Sequence, residues 1–211
     1  MPLLDPEFLE LTHDLDVEAF WAENSECTAF TTAKPRCALS FSPDDHWLFE
    51  FFSIPSTLRY YQDKSYRDDL HHQANALLLE YVGRGHFDED TWEHSPRRIE
   101  NLFGCEFGYY EGGTPWFVPV TEDPDEFNRI LDQAERTDLR KWALPEPFLA
   151  EWEARQAAGR PLQRLGTGSR GPATIMTSVL KPETVFMWMY DYPDLMGRFR
   201  DLLAEKMVEL N

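Results

Sequence analysis

The first strongly apolar run of the chain predicts a buried β-strand. The run HWLFEFFSI, 46–54, is rich in aromatic and β-branched residues and ends at Pro55, which is typical of a strand buried on both faces. The following segment, 65–85, places apolar residues on one helical face and ends in two glycines, which predicts a helix. A strand followed by a helix indicates an α/β chain.

The rest of the pattern predicts helices and one hairpin. The apolar pieces CEFGYY and TPWFVPVT flank Glu111, Gly112 and Gly113, and glycines at such a point supply the positive φ that a tight turn requires. Ser95 as the N-cap and Pro96 as the first helical residue predict a short helix over 95–103. Further helices are expected over 5–24, 125–133, 148–158, 183–190 and 193–210.

Glycines at positions 166, 168 and 171 form a G-x-G-x-x-G pattern within RLGTGSRGPATIMTSVL, 164–180. A dinucleotide cradle needs a hydrophobic strand before the first glycine and a helix that starts between the second and the third. Residues 160–165 are too few and too polar for a central strand, and Pro172 interrupts the helix that such a cradle needs. The glycines are therefore predicted to form a loop that leads into a buried strand over 173–179.

Charge and cysteine content narrow the partners and the compartment. The chain has 20 Lys and Arg against 38 Asp and Glu, a net charge of -18. A field of this sign repels phosphate backbones and anionic lipids, so neither nucleic acid nor a membrane is an expected partner. Cys27, Cys37 and Cys105 show no C-x-x-C spacing, which fits a reducing compartment and predicts a cytoplasmic protein. No targeting segment and no spanning helix of ~20 apolar residues is found in the sequence.

Three segments resemble one known family. In chain order they are EFFSIPSTLRYYQDKSYRDDLHHQAN, ENLFGCEFGYYEGGTPWFVPVTEDPDEF and RGPATIMTSVLKPETVFMWMYDYPDLMGRFRDLLAEKMVEL. Together they are similar to the uroporphyrinogen decarboxylase family over residues 35–211, which leaves 1–34 as an N-terminal helical extension. The resemblance implies a (β/α)8 barrel with its active site at the C-terminal ends of the strands. Related members include corrinoid methyltransferases with a zinc site.

The expected fold is α/β, a partial (β/α)8 TIM-barrel-like fold of about half a barrel, with the helical extension and a β-hairpin insertion. A full barrel takes about 250 residues, whereas this sequence has 211 and resembles only the first half. Three alternatives follow. The chain is a fragment, or a second copy or separate chain supplies the remaining strands, or the half has been refitted to another architecture.

Departures from the family pattern argue against uroporphyrinogen decarboxylation itself. The family's decarboxylases hold substrate carboxylates with an Arg-Gln-Ala-Gly-Arg segment, where this chain has EFFSIP and no arginine. Their strand-end tyrosine falls at Ser178, and their aspartate falls near Ser95. The zinc ligands of the methyltransferases lie in the half without a counterpart here, and His71 and His72 point about 100° apart on a helix. No metal site is assigned, and the cofactor is unknown, with none required by this segment.

Under the barrel hypothesis, side chains at the strand ends face the mouth of the barrel. These are Glu50 and Phe52 after the first strand and Thr177 and Ser178 after the later one. Glu50 is either a general acid/base or a structural carboxylate paired to a neighbour such as Arg59. Ser178 is expected to position substrate, so Glu50 and Ser178 are the catalytic candidates.

Further candidates lie around the predicted hairpin. His94 with Arg97 and Arg98 forms either an anion site or a solvated, salt-bridged face. Tyr109, with its aromatic neighbours in the hairpin, lines a pocket for a planar ligand or belongs to a satellite hydrophobic cluster. The expected substrate-binding residues are Phe52, Arg59, His94, Arg97, Tyr109, Thr174 and Thr177.

Two functions of different classes follow from these expectations. The first is an enzyme of the uroporphyrinogen decarboxylase-like superfamily that decarboxylates a small organic molecule or transfers a methyl group. The second is a non-catalytic half-barrel that serves as an assembly or ligand-binding subunit. The enzyme needs a complete barrel. The half-barrel needs a second copy or a separate chain to cover its exposed sheet edge, because an open edge invites pairing.

Overall fold

The structure, a computed structural model, describes residues 16–29, 31–40, 42–162 and 170–210. The chain divides into two compact units, and the division in the sequence lies between Thr91 and Trp92. We call the first unit 1 and the second unit 2. The predicted boundary between residues 34 and 35 stays a prediction.

The regular elements of unit 1, among its described residues, are helices joined by loops. Its helices are α1 (Val17–Asn24), α2 (Asp45–Phe51), α3 (Thr57–Gln62) and α4 (Lys64–Val82). Each begins at a side-chain cap, supplied in order by Asp16, Asp44, Ser56 and Asp63. Such caps accept hydrogen bonds from backbone N–H groups that the first helical turn leaves unpaired.

A helix replaces the strand predicted over 46–54. The Asp44 carboxylate accepts a hydrogen bond from the Trp47 backbone N–H at 3.0 Å, which starts α2. Leu48 is buried against Tyr60, Leu70 and Ala74 in the core of unit 1. The prediction was wrong because an apolar run this short does not distinguish a strand from a helix, and the cap decides between them.

Unit 2 consists of helices around one two-stranded ribbon. In chain order its elements are α5 (Ile99–Leu102), β1 (Glu106–Gly108), β2 (Trp116–Val118), α6 (Pro124–Arg136), α7 (Leu139–Trp142), α8 (Glu146–Ala157), α9 (Pro172–Val179), α10 (Pro182–Asp191) and α11 (Pro193–Leu210). Buried side chains of α6, α9, α10 and α11 form one core with β2 and α5. At the centre of that core, Phe127 and Phe199 pack edge to face with ring centroids 5.0 Å apart.

The predicted hairpin is confirmed. Strands β1 and β2 pair antiparallel with Phe107 opposite Phe117, and these two rings stack at 4.2 Å. Gly112, in the turn between them, has a φ of 73°. A side chain at that backbone conformation is strained, so the turn requires the glycine.

A helix also replaces the strand predicted over 173–179. Pro172 occupies the first turn of α9, where its missing N–H costs nothing. Ile175, Met176 and Val179 are buried, which is helical rather than alternating spacing. The prediction treated Gly171 and Pro172 as an entry to a strand, but Pro172 begins a helix. Gly166 and Gly168 lie outside the described residues.

The other predicted helices are confirmed with shifted ends. The segment 65–85 forms α4, and the segments 125–133, 148–158, 183–190 and 193–210 form α6, α8, α10 and α11. The helix predicted over 5–24 is confirmed over Val17–Asn24, and residues 1–15 lie outside the described part of the chain. The helix predicted over 95–103 is only α5, because the backbone of Arg98 is still extended and Ser95 caps nothing.

The half-barrel stays a prediction. In the ranges that the structure describes, the only sheet is the ribbon β1–β2. Within those same ranges, no helix combines the length and the apolar composition needed to cross a bilayer.

Candidate functional site

Two adjoining cavities open beside α5 and the ribbon of unit 2. Their volumes are about 510 Å³ and about 430 Å³, within the range of roughly 300–1,000 Å³ typical of small-molecule sites. The two share five lining residues: Asn101, Gly104, Glu106, Phe107 and Trp142. We call this pair of cavities, together with Arg97 and Arg98 at its polar end, the arginine cleft.

Arg97 is fixed at the edge of the cleft by contacts with α7. Its guanidinium Nη1 donates to the Trp142 carbonyl oxygen at 3.2 Å, and the guanidinium carbon lies 5.5 Å from the centre of the Trp142 ring. Its backbone N–H donates to the Ala143 carbonyl oxygen at 2.9 Å. The end of α7 therefore orients Arg97, which is separated from it by 45 positions in the sequence.

Arg98 is held against the ribbon. Its guanidinium carbon lies 5.4 Å from the centre of the Phe107 ring. Its backbone N–H donates to the Asn101 side-chain oxygen at 2.8 Å, which fixes the start of α5. Each of the two arginines thus lies near an aromatic ring that also lines the cleft, an arrangement that guanidinium groups favour.

The two guanidinium groups have no carboxylate partner among the described residues. All the ion pairs of the described chain involve other cations. Arg97 and Arg98 are both exposed, so their remaining N–H groups face water. In a chain with 38 acidic residues, two neighbouring arginines without a carboxylate partner are available to bind an anion.

Away from the arginines, the cleft is lined by a mixture of apolar and polar residues. In the larger cavity these belong to α5, β2, α6 and the following loops: Leu102, Val118, Pro119, Val120, Ile130, Gln133 and Thr137. A cationic end joined to a partly apolar cavity suits an organic anion with a hydrophobic body. Glu106 lines both cavities and is the negative charge that such a ligand would meet.

Beneath the cleft, Ser178 belongs to a buried polar cluster. Arg170 donates from Nη2 to Glu100 Oε1 at 2.6 Å and to Ser178 Oγ at 3.1 Å. The Ser178 hydroxyl donates in turn to the Thr174 carbonyl oxygen at 2.8 Å, and the side chain is fully buried. In this state its single proton is committed to the backbone, so Ser178 stabilises α9 and holds Arg170.

Cys105 lines the smaller cavity but is not a nucleophile. Its side chain is buried, and Sγ lies 3.8 Å from the Ser178 carbonyl oxygen. Burial, reinforced by the negative charge of Glu100 and opposed by Arg170, raises the pKa of the Cys105 thiol to about 12. The nucleophile is the thiolate, so the Cys105 thiol is a poor nucleophile at neutral pH.

His94, which the sequence grouped with Arg97, contacts Glu151 instead. The His94 ring Nδ1 lies 3.2 Å from Glu151 Oε2, and the backbone N–H groups of Glu93 and His94 donate to the same carboxylate. Burial opposes ionisation of Glu151, but these hydrogen bonds and that from Arg155 outweigh it, so the pKa of Glu151 is lowered. His94 is not among the lining residues of either cavity of the cleft.

The remaining predicted residues of unit 2 are near the protein surface. Tyr109 follows β1 and is exposed, as is Thr174 on the outer side of α9. Thr177 donates its hydroxyl to the carbonyl oxygens of Ala173 and Thr174, one turn earlier in α9. Of the predicted substrate-binding residues, Arg97 is the one that the structure places in the arginine cleft.

Glu50, Phe52 and Arg59 belong to unit 1. Glu50 is exposed on α2, and Phe52 caps that helix with its ring edge-on to Phe51. Arg59 pairs with Asp63 at 3.4 Å, not with Glu50. The strand end that was predicted to bring Glu50 and Phe52 to a barrel mouth is a helix.

Sequence reasoning missed the two aromatic walls of the cleft. Trp142 contacts Arg97 from 45 positions away, and Phe107 contacts Arg98 from the neighbouring strand β1. Neither contact has a signal in the local sequence pattern. The pairing of Glu100 with Arg170 was missed for the same reason. Among the residues that the structure describes, no group of three or more His, Cys, Asp or Glu side chains is arranged to hold a metal ion.

Comparisons with known proteins leave the family open. No family model matches the chain, and no curated protein matches it. Among solved structures, a methyltransferase from Methanosarcina mazei aligns with 78% of this chain at 15% sequence identity and a TM-score of 0.35. The chain spans 45% of the length of that methyltransferase. A likeness this weak carries no argument about fold or chemistry.

Proposed function

We propose that the arginine cleft binds a small organic anion with a flat, apolar body. The observation that supports this proposal is the pair of arginines, Arg97 and Arg98, each placed near an aromatic ring of the cleft and without a carboxylate partner among the described residues. Guanidinium groups bind carboxylates through paired hydrogen bonds, and aromatic walls favour a planar ligand body.

The charge of the chain makes the cleft selective. A net charge of -18 repels anions over most of the surface. An anion therefore gains binding energy only where cations are concentrated and unpaired, as at Arg97 and Arg98. Phosphate polymers would meet the surrounding acidic surface, whereas a small carboxylate reaches the two guanidinium groups alone.

The reaction class is proposed from the sequence resemblance alone. The three segments similar to the uroporphyrinogen decarboxylase family support a role in decarboxylation or methyl transfer on the bound molecule, as part of an enzyme that a second chain or further residues complete. The arginine cleft would hold the carboxylate of that substrate. True uroporphyrinogen decarboxylation is not proposed, because the family's paired arginines have no counterpart at 50–55.

Calorimetric titration with matched ligands tests the proposal. Naphthoate and naphthamide have the same flat body and differ in charge, so their affinities isolate the contribution of the arginines. We expect naphthoate to bind at least about tenfold more tightly, because hydrogen bonds to charged groups contribute roughly 1.5–3 kcal/mol. Equal affinities for the acid and the amide would overturn the proposal.

A second candidate function is a non-catalytic ligand-binding subunit. The observation that favours it is the hydrogen bond from the buried Ser178 hydroxyl to the Thr174 carbonyl oxygen, which supports a structural role for this side chain. The two functions share the cleft and its ligand. Turnover of a bound carboxylate by the purified chain, alone or with a second subunit, would separate them.

A further inference from the structure

Helix α10 presents apolar side chains on both of its faces. Its inner face, formed by Thr184, Val185 and Trp188, is buried in the core of unit 2. Its outer face consists of Phe186, Met187, Met189 and Tyr190, and all four side chains are exposed. We use "outer face of α10" for these four residues.

The outer face is unusual in both size and exposure. Phe186 is 71% exposed and Tyr190 is 88% exposed. These two side chains are four positions apart and so are neighbours on the helix surface, with Met187 beside them. A helix that is apolar on every side is normally buried, and contiguous exposed apolar patches mark interaction sites. Methionine adapts to irregular partner surfaces, so Met187 and Met189 fit the same role.

Acidic side chains border the outer face. Glu183 lies one turn before Phe186, and Asp191 lies one turn after Met187, with Asp194 at the start of α11. Among the described residues, none of these three carboxylates forms an ion pair within 4 Å.

The cations of this region are already neutralised within the chain. From Lys181, just before α10, to the end of α11, the cations form these ion pairs: Lys181 with Glu122, Arg198 with Asp132 and Glu135, Arg200 with Asp201, and Lys206 with Glu209. The outer face of α10 is therefore an apolar surface bordered by the negative charges of Glu183, Asp191 and Asp194.

We propose that the outer face of α10 docks a partner protein that presents an apolar surface flanked by Lys or Arg side chains. The apolar centre would supply the buried area, and Glu183, Asp191 and Asp194 would pair with the partner's cations at the rim. This interaction goes beyond the binding of a small anion, because the arginine cleft and α10 share no lining residue.

Charge decides between this partner and two other occupants. A second copy of the chain would bring the same carboxylates against each other across a two-fold axis, in a protein that already carries -18. An anionic lipid surface would be repelled by the same border. A basic, amphipathic partner satisfies both the apolar face and the carboxylates.

Designed peptides test the proposal with the whole chain. A labelled amphipathic helical peptide of Leu and Lys serves as the probe, with its Leu/Glu analogue and a scrambled Leu/Lys peptide as controls. By fluorescence anisotropy, we expect the Leu/Lys helix to bind at least about tenfold more tightly than either control, since both a contiguous apolar face and positive charge are needed. Equal affinity for the scrambled peptide would show unspecific attraction to an acidic protein and would overturn the proposal.

Variants of the outer face locate the binding. Phe186→Ser and Tyr190→Ser are each expected to weaken Leu/Lys peptide binding about tenfold, the effect of losing one buried aromatic anchor. Leu79→Ser, at an exposed leucine of α4, is the control and is expected to bind normally. Circular dichroism checks that the variants fold.

Three results would contradict this account. The first is an unchanged affinity of the Leu/Lys peptide for the Phe186→Ser and Tyr190→Ser variants. The second is a concentration-dependent dimer of the unaltered protein that the Phe186→Ser substitution dissociates. The third is binding to phosphatidylglycerol vesicles that the Phe186→Ser substitution abolishes. The second result would assign the face to a second copy of the chain, and the third would assign it to a lipid surface.

Discussion

Arg170 Nη2 lies 2.6 Å from the Glu100 carboxylate, and this contact joins α5 to the start of α9 across 70 positions of the chain. Glu100 is only 2% exposed. A carboxylate so deeply buried is costly unless a cation and hydrogen bonds satisfy it. Arg170 meets that need and also lies 4.5 Å from the centre of the Trp116 ring. The pair therefore fixes the helix that carries Ser178 against the ribbon.

Glu100→Gln is expected to destabilise the protein by about 3 kcal/mol, because breaking a buried ion pair leaves the remaining charge uncompensated. Urea unfolding followed by tryptophan fluorescence measures the loss. Glu153→Gln, at an exposed glutamate of α8, is the matched control and is expected to change stability by less than about 0.5 kcal/mol. A Glu100→Gln protein as stable as the control would show that the pair is dispensable.

Cysteine alkylation tests whether the Cys105 thiol is buried and unreactive. Cys27 and Cys37 are exposed, whereas Cys105 is buried with the pKa of its thiol raised to about 12. Iodoacetamide at pH 8 is expected to modify the first two in the native protein and to spare Cys105, which reacts only after unfolding. Mass spectrometry of tryptic peptides gives the result. Alkylation of Cys105 at the same rate as Cys27 in the folded protein would contradict its burial.

The lowered pKa of Glu151 predicts an acid-dependent contribution to stability. A group whose pKa is lower in the folded state than in the unfolded state stabilises the fold above its unfolded pKa, which is about 4.3 for glutamate. That contribution is lost as the pH falls below this value through the folded pKa. Glu151→Gln should therefore lower stability at pH 7 and flatten the decline between pH 5 and 3, measured by thermal unfolding at each pH. Parallel curves for the two proteins would refute this role.

The sequence predicted the helices better than the strands. Segments with long apolar periodicity, such as α4 and α11, are helices as expected, and the glycine turn near Gly112 forms the predicted hairpin. The strands predicted over 46–54 and 173–179 are helices in the structure. Each prediction was based on a short apolar run, which does not distinguish a strand from a helix. The helix begins at the Asp44 cap in α2 and at Pro172 in α9.

The candidate site was predictable only in part. The proximity of Arg97 and Arg98 in sequence suggested an anion site, and the structure places both in one cleft. Their aromatic neighbours were not predictable, because Trp142 contacts Arg97 from 45 positions away in the sequence. His94 was grouped with Arg97 by sequence distance, yet it contacts Glu151, 57 positions away. The spacing of residues in the sequence does not determine which distant side chains they contact in the fold.

Glu106→Gln is expected to tighten binding of an organic anion to the arginine cleft. Glu106 lines both cavities, so its charge opposes an incoming carboxylate. Removing a like charge at about 4 Å in water is worth roughly 1 kcal/mol, or about fivefold in affinity. Calorimetric titration of naphthoate measures the change, with naphthamide as the uncharged control that should not respond. Weaker naphthoate binding in the variant would show that Glu106 assists the ligand instead.

The affinity of naphthoate for Arg97→Gln and Arg98→Gln tests the arginine cleft most directly. Each variant removes one guanidinium from the polar end, and we predict a loss of about tenfold or more in affinity for each, from hydrogen bonds to a charged group. Arg129→Gln, at an exposed cation of α6 outside both cavities of the cleft, controls for net charge and should bind as the unaltered protein does. Naphthoate affinity that is unchanged in both cleft variants, or lowered equally in the Arg129→Gln control, would contradict the assignment of the cleft as an anion site.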